Sequence, residues 1–381
     1  MAYFYDNPDN STFRYRIYNM MQAMSLTANE IGASYFHLGD EEHIDAIVER
    51  ADVIVFCRTR YSLMMMRVAL AAKERGKRVL FDVDDFVFNV DYIHLILNTL
   101  DVDTEPSAVW DFWYAYIGRI GSMLKLCDEA IATNEFLAQR ISEFTGRPVH
   151  VIPNFLNREQ LDVSDRIYEQ KARQNFRRDG RFHLGYFSGS PSHNKDLGLV
   201  EEALAELLSR RSDVVVRVAG YMEIKGPLAA FRDRIEFLPF RDFVNLQHAI
   251  GEVEINLMPL QDNLFTNCKS ELKYFDAAVV GTLSVASPVY TYSKAIQDGH
   301  NGFLASDHQW YSTLTRLVEA SPSEMASWIQ AAREDARVRY GWNSQAGLIE
   351  TVLFPADGAA GAVGRKAQLL LSENPCREGA R

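Results

Sequence analysis

Short apolar runs rich in β-branched and aromatic residues alternate along the chain with stretches in which apolar positions recur every three or four residues. The runs predict strands near Tyr3–Tyr5, Ser34–His37, Val53–Cys57, Val79–Phe81, Ala130–Ala132 and Val149–Ile152 in the first half. The second half repeats the scheme near His183–Phe187, Val214–Ala219, Ile235–Leu238, Ile255–Met258, Leu283–Val285 and Gly302–Leu304. Strands of this kind, separated by amphipathic segments, predict parallel sheets covered by helices on both faces, an α/β architecture. After Asn154 the alternation lapses into the charged segment NREQLDVSDRIYEQKARQNFRRDGR, whose polarity suits a connection between two domains. A last helical pattern runs from Ser323 to about Tyr340 and is followed by WNSQAGLIETVLF. From Pro355 the composition turns to Ala, Gly and charge, and the final residues are expected to be mobile.

A chain of 381 residues with 47% hydrophobic content can build two ordinary cores. Its formal charge of -11 argues against general affinity for nucleic acid or an anionic bilayer, while leaving room for local basic patches. Cys57, Cys127, Cys268 and Cys376 lie far apart without CxxC spacing, which predicts reduced, buried thiols. The start MAYFYDNPDN lacks a basic leader, and no window approaches about 18 uninterrupted apolar residues. A soluble, cytoplasmic protein is expected. The histidines show no HxxxH or HExxH pairing, so His94, His193 and His300 are candidates for hydrogen bonding, not metal ligation.

The candidate chemistry is concentrated in NLFTNCKSELKYFDAAVVGTLSVASPVYTYSKAIQDGHNGFLA, Asn263 to Ala305. A polar loop ends at Lys269 and Ser270, and Lys269, Lys273, Asp276 and Val280 then share one helical face. First-turn amides without intrahelical partners, reinforced by Lys269 and Ser270, suit a phosphate. Asp276, about two turns on, suits ribose hydroxyls. The loop SGSPSHNK, with Gly189, Ser190, His193 and Lys195, has small residues that would let backbone amides approach a phosphate, although without GxGxxG it reads more often as an ordinary turn.

Three carboxylates of LFDVDDF (Asp82, Asp84, Asp85) fall at the sheet end where α/β ligands bind. Metal ligation, a phosphatase nucleophile and a solvated acidic turn are all open readings. Arg14 and Arg16 of FRYRIY, with Arg58 and Arg60, offer guanidinium forks to an anion or are plain surface arginines. WDFWYAYIGRIGSML places aromatics on two helical faces, more than one buried face accommodates; core packing, a sugar acceptor, a lipid carrier or a membrane surface would each use them.

The order of these parts resembles the donor half of family 4 glycosyltransferases, retaining enzymes of GT-B fold. GYFSGSPSHNKDLGLVEEAL (Gly185–Leu204) and VIPNFLN (Val151–Asn157) extend the likeness. YFSGSPSH, KSELKYFDA, FRYRI and LFDVDD are most similar to a bacterial subgroup associated with rhamnan and other surface polysaccharides. The resemblance implies two Rossmann-like domains facing across a cleft: an acceptor domain over 1–160, a linker over 161–180, a donor domain over 181–340, and a crossover helix with tail over 341–381. It implies hexosyl transfer from a nucleotide-diphosphate sugar to a hydroxyl of a glycan or lipid-linked acceptor, without metal or other cofactor. By the same resemblance, Asp84, Lys195 and Lys269 are the catalytic residues. Gly189, Ser190, His193, Lys195, Phe240, Asn267, Lys269, Ser270, Glu271 and Asp276 would bind the donor, and Arg14, Arg16, Arg58, Asp84 and Asp85 the acceptor. The family's spaced pair of Glu is altered: Asp276 stands at the second position and Cys268 at the first, which leaves the donor-sugar contact to Asn267, Glu271 or backbone. A GT-B sugar-nucleotide epimerase and a non-catalytic scaffold are the alternatives. Peripheral contact with the inner face of the plasma membrane and the oligomeric state stay open, and no nucleic-acid partner is expected.

Overall fold

The computed structural model describes residues 1–6, 8, 10–26, 31–188, 194–220, 224 and 226–355. The expected mobile tail beyond 355, and the loop residues Gly189, Ser190 and His193, lie outside the described residues. All twelve predicted strands form, with ends shifted by no more than a residue or two. They are β1 (Ala2–Phe4), β2 (Ser34–Phe36), β3 (Val53–Cys57), β4 (Arg78–Val83), β5 (Glu129–Ala132) and β6 (Val149–Val151) in one sheet. The other sheet holds β7 (Phe182–Phe187), β8 (Val214–Ala219), β9 (Ile235–Leu238), β10 (Ile255–Met258), β11 (Leu283–Ala286) and β12 (Phe303–Leu304).

Every pairing is parallel. The first sheet runs β2-β1-β3-β4-β5-β6 and the second β12-β11-β10-β7-β8-β9. β3, β7 and β8 are buried along their whole length because helices cover both faces, so Val-rich runs replace alternation. Both orders reverse direction once, between β1 and β3 and between β7 and β10, and ligands of open α/β sheets bind outside the carboxyl ends of strands at such points. The architecture is the two-domain α/β arrangement of the GT-B fold.

The charged connection differs from expectation. Arg158–Arg173 is a helix, capped by reciprocal Asn157 and Gln160 bonds, which packs against the helices Phe243–Gly251 and Leu272–Val279. Leu161, Ser164, Ile167 and Lys171 recur at helical spacing and are buried, a stripe hidden beneath a polar average. Even Lys171 is satisfied, donating to the Val253 carbonyl at 2.5 Å and Thr282 Oγ1 at 2.7 Å.

The crossover forms as expected. After helix Pro322–Tyr340 the chain pairs with the end of the first domain, Leu156 N to Tyr340 O at 2.8 Å and Trp342 N to Leu156 O at 3.0 Å. Helix Trp342–Leu353 then buries Ile349, Val352 and Leu353 in a core shared with Tyr3, Met20, Met24 and Val55. Arg78 secures its end by donating to the Val352 and Leu353 carbonyls, both at 2.8 Å. No described helix is long and apolar enough to cross a membrane. Cys57, Cys127 and Cys268 are free and buried.

Candidate active site at the domain cleft

The first-domain rim is organised by the segment Ser11–Ser25. Asn10 caps its start by accepting from Phe13 N, and a π turn over Arg14–Tyr18 interrupts the α-helical spacing. The wider turn carries both Tyr15 and Arg16 to buried positions. Arg16 Nε and Nη2 donate to the two oxygens of Asp82 at 2.9 and 3.1 Å, and Nη1 donates to Ile152 O at 2.8 Å and Asn154 Oδ1 at 3.2 Å. Both side chains of this pair are fully buried. Arg16 is therefore neither an acceptor ligand nor a surface arginine; its donors are spent on the fold. Burial outweighs the guanidinium and raises the Asp82 carboxyl above its ordinary range. LFDVDDF accordingly presents only Asp84 and Asp85 to the cleft.

Asp84 accepts from Thr12 Oγ1 at 2.8 Å and from Arg58 Nη1 at 3.1 Å. Arg58 is held in the left-handed region (φ 44°), its amide bonded to Asp82 O at 2.8 Å, so the β3 exit aims its side chain along the sheet edge. Asp84 holds the Arg58 guanidinium above its usual value despite burial. Arg60 pairs instead with Asp6 at 2.9 Å. Asp85 caps Phe86 N with one oxygen and faces Lys269 Nζ at 3.7 Å with the other, spanning the cleft. Arg14 lies over the Phe243 ring, 3.9 Å from its centroid, so it contacts the second domain.

On the donor side, Asn263 caps the short helix Leu264–Asn267, and the chain turns through Lys269 and Ser270 into helix Leu272–Val279. Asn134 Nδ2 holds the Cys268 and Lys269 carbonyls at 3.1 and 3.0 Å, and Thr291 Oγ1 holds Lys269 O at 2.5 Å. With those carbonyls engaged elsewhere, no backbone carbonyl among the described residues accepts from the amides of Ser270, Leu272 or Lys273. Lys269 Nζ stands 4.7 Å from the Phe265 ring centroid and Lys273 Nζ stands 5.4 Å from that of Tyr186, near the end of β7. Burial, aided by Lys269 and opposed by Asp196, pulls the Lys273 ammonium down to about 8. Ser270 Oγ accepts from Asn154 Nδ2 at 2.9 Å, which continues the Asp82–Arg16–Asn154 chain across the cleft.

Other expected donor residues are placed differently. Asp276 is buried and accepts from the Tyr15 hydroxyl of the first domain at 3.0 and 3.2 Å and from Gln247 Nε2 at 3.4 Å. Burial raises its carboxyl to about 7, against the pull of Tyr15 and Arg14. Glu271 is buried and hydrogen-bonded with Tyr340, and burial raises it too. Asn267 Oδ1 accepts from Tyr290 N at 2.7 Å and its amide donates to Asp262, a capping role for the following segment. Cys268 is fully buried in the first-domain core together with Phe265. Phe240 is 62% exposed. Lys195 reaches over to the first domain and donates to Asn98 O at 2.7 Å and Asn98 Oδ1 at 3.1 Å, with Asp101 at 3.2 Å.

The structure thus brings Thr12, Arg58, Asp84, Asp85, Lys269 and Ser270 to one cleft. Tyr15, Lys273, Asn134 and Asn154 were not singled out as site residues from sequence. Lys273 was legible from its spacing to Lys269, and Asn154 from its place in VIPNFLN. Among the described residues no three His, Cys, Asp or Glu side chains are grouped as metal ligands.

Residues 181–320 match the family model described as "Glycosyl transferases group 1". No curated protein sequence matches the chain. Among solved structures, Anabaena HepE in complex with UDP is similar over 92% of this chain and 98% of its own, at 13% identity and a TM-score of 0.62. A glycosyltransferase from Rickettsia africae is similar over 93% of this chain and 98% of its own, at 13% identity and a TM-score of 0.62. Sucrose-phosphate synthase of Thermosynechococcus elongatus covers 92% of this chain and 97% of its own, at 12% identity and a TM-score of 0.60. At such identities the likeness is one of fold, and it extends over both domains.

Proposed function

We propose that the protein is a glycosyltransferase in which the second domain holds a nucleotide-diphosphate sugar and the first presents an acceptor hydroxyl, with transfer that retains the anomeric configuration. The observation that carries this reading is the meeting of two unlike surfaces across one cleft. Lys269 and the amides after it, unpaired among the described residues, stand on one side, and the Asp84–Arg58–Thr12 cluster on the other, linked by the 3.7 Å approach of Asp85 to Lys269. The cationic side suits a diphosphate leaving group. The carboxylate side suits a sugar hydroxyl, since an ionised carboxylate only accepts hydrogen bonds. The family match over the second domain and the UDP-bound and UDP-glucose-bound structures of Anabaena HepE support the same donor class.

In this scheme the bond from the anomeric carbon to the diphosphate oxygen breaks as the acceptor oxygen bonds to the same face. The acceptor proton passes to the departing phosphate oxygen, so no protein nucleophile is used. Asp84, set by Thr12 and Arg58, orients the sugar or the acceptor hydroxyl. Lys269, Ser270 and the neighbouring amides stabilise negative charge as it grows on the leaving group, where fixed donors are most effective. No step is assigned to a metal. The acceptor is taken to be a glycan or lipid-linked glycan of the surface-polysaccharide kind that the sequence resemblance implies.

The test is incubation with UDP-, GDP- and dTDP-sugars and a panel of glycan acceptors, with nucleoside diphosphate release and the product's anomeric configuration read by NMR. Acceptor-dependent release with an α product from an α donor is expected. An inverted product overturns retention, and epimerised nucleotide sugar without acceptor overturns transfer.

A further inference from the structure

Lys273 is half-buried and unlike Lys171, which is buried. Lys171 has two oxygen partners, at 2.5 and 2.7 Å. Lys273 has neither a hydrogen bond nor an ion pair among the described residues; its ammonium meets only the Tyr186 ring face. The nearest acidic influence, Asp196, already accepts from Gln261 N at 3.2 Å and Gln261 Nε2 at 3.1 Å. Lys269 lies four residues earlier, in the turn that leads into the helix, and adds a like charge. An ammonium partly removed from water, beside a second cation and without a counter-ion, is destabilised until an anion arrives. The backbone there is fixed independently of any ligand, because Asn256 Nδ2 donates to Lys273 O at 3.1 Å. Lys273 also stands between the exit of β7 and the first turn of helix Leu272–Val279, beside the β7/β10 reversal where such sheets bind nucleotides. Lys195, the lysine expected on the diphosphate, spends its ammonium on Asn98 and Asp101 of the first domain.

We propose that Lys273 is a second cation for the donor diphosphate, acting with Lys269 and contributing to the preference for a diphosphate over a monophosphate. This rests on the donor site proposed above. Two ammonium groups on the turn and on the helix that follows it reach different oxygens of a diphosphate, whereas a monophosphate engages them less completely. The Tyr186 ring holds the Lys273 ammonium at the β7 end.

The test is calorimetric titration of the full chain with UDP, GDP and dTDP and the matching monophosphates, for wild type, Lys273→Met and Lys273→Arg. For the nucleotide that wild type binds, Lys273→Met is expected to weaken diphosphate binding about 10-fold or more, since a charge-assisted bond exceeds a tenfold change. Monophosphate binding should change little, and Lys273→Arg should restore most of the difference. Unchanged diphosphate affinity in a folded Lys273→Met variant overturns the role of Lys273 while leaving the donor site standing. Should Lys273→Met fail to fold, Lys273→Gln takes its place under the same criterion. Absence of binding of any of the three diphosphates to wild type overturns the functional reading itself, and this inference with it.

Discussion

Arg16→Met removes a guanidinium but keeps much of its aliphatic length, which separates an architectural role from a ligand-binding one. In the folded protein the change deletes two charge-assisted bonds to Asp82 and two bonds to neutral oxygens of Ile152 and Asn154. Breaking one partner of a buried pair typically costs about 3–5 kcal/mol. Protonation of Asp82 limits the charge part: at pH 7 it costs about 4 kcal/mol to neutralise a carboxyl whose unfolded value lies near 3.9, at about 1.36 kcal/mol per pH unit. We expect a loss of about 3–4 kcal/mol at pH 7. The pH dependence has a definite sign. In the variant the folded Asp82 value lies further above the unfolded one, so the native state binds more protons and stability falls as pH rises from about 4 toward the folded value. The deficit relative to wild type should therefore shrink by about 1 kcal/mol or more at pH 5. Urea unfolding followed by circular dichroism at pH 5 and 7.5 measures both quantities, and Arg16→Met/Asp82→Asn should recover part of the loss. A variant within about 1 kcal/mol of wild type at pH 7, or a deficit independent of pH, would refute the buried clamp.

Lys269→Ala should lower kcat/KM about 100-fold in the transfer assay with little change in melting temperature, as loss of one preorganised charge donor does; full activity would remove Lys269 from the site. Asp276, raised to about 7 by burial, contributes stability that is present below the unfolded carboxylate value and lost as pH climbs toward neutrality. Asp276→Asn should therefore melt higher than wild type at pH 8 and much like it near pH 4, helped by Gln247 Oε1, which lacks a partner and can accept from the new amide; equal melting at both pH values contradicts the assignment. Cys268→Glu supplies the Glu that the sequence resemblance implies at this position but places a carboxyl in the first-domain core, so it should destabilise by about 2 kcal/mol or more without raising activity. Gly220 has φ 98°, and a Cβ there would lie 2.0 Å from Ser188 O, so Gly220→Ala should displace the exit of β7 and lower the melting temperature as well as donor affinity.

The sheets were legible because buried parallel strands write themselves as dense apolar runs, and β3, β8, β9 and β10 match their predicted limits. Helix Arg158–Arg173 was not legible as packed structure, since its buried stripe includes Ser164 and Lys171 and composition averages it away. Near the cleft, the position of Asp84 directly after a strand and of Lys269 just before a helix was legible, because both lie at the edge of a strongly patterned element. Arg16 was misread because α-helical spacing does not anticipate a π turn, and the rotation decides whether a guanidinium meets solvent or Asp82. Asp276 was placed on the correct helix, but its meeting with Tyr15 joins residues 261 positions apart, a tertiary contact that no local pattern encodes. The same holds for Lys195, whose partners lie in the opposite domain.

The most direct test of the central claim is calorimetric titration of wild type and Lys269→Ala with UDP, GDP, dTDP and their common sugar conjugates, first in EDTA and then with magnesium. The donor site predicts that wild type binds one nucleotide diphosphate and its sugar conjugate in EDTA, and that Lys269→Ala loses most of that affinity. Absence of binding, or binding that requires magnesium and is indifferent to Lys269, would contradict it and move the chemistry to Asp84 and Asp85.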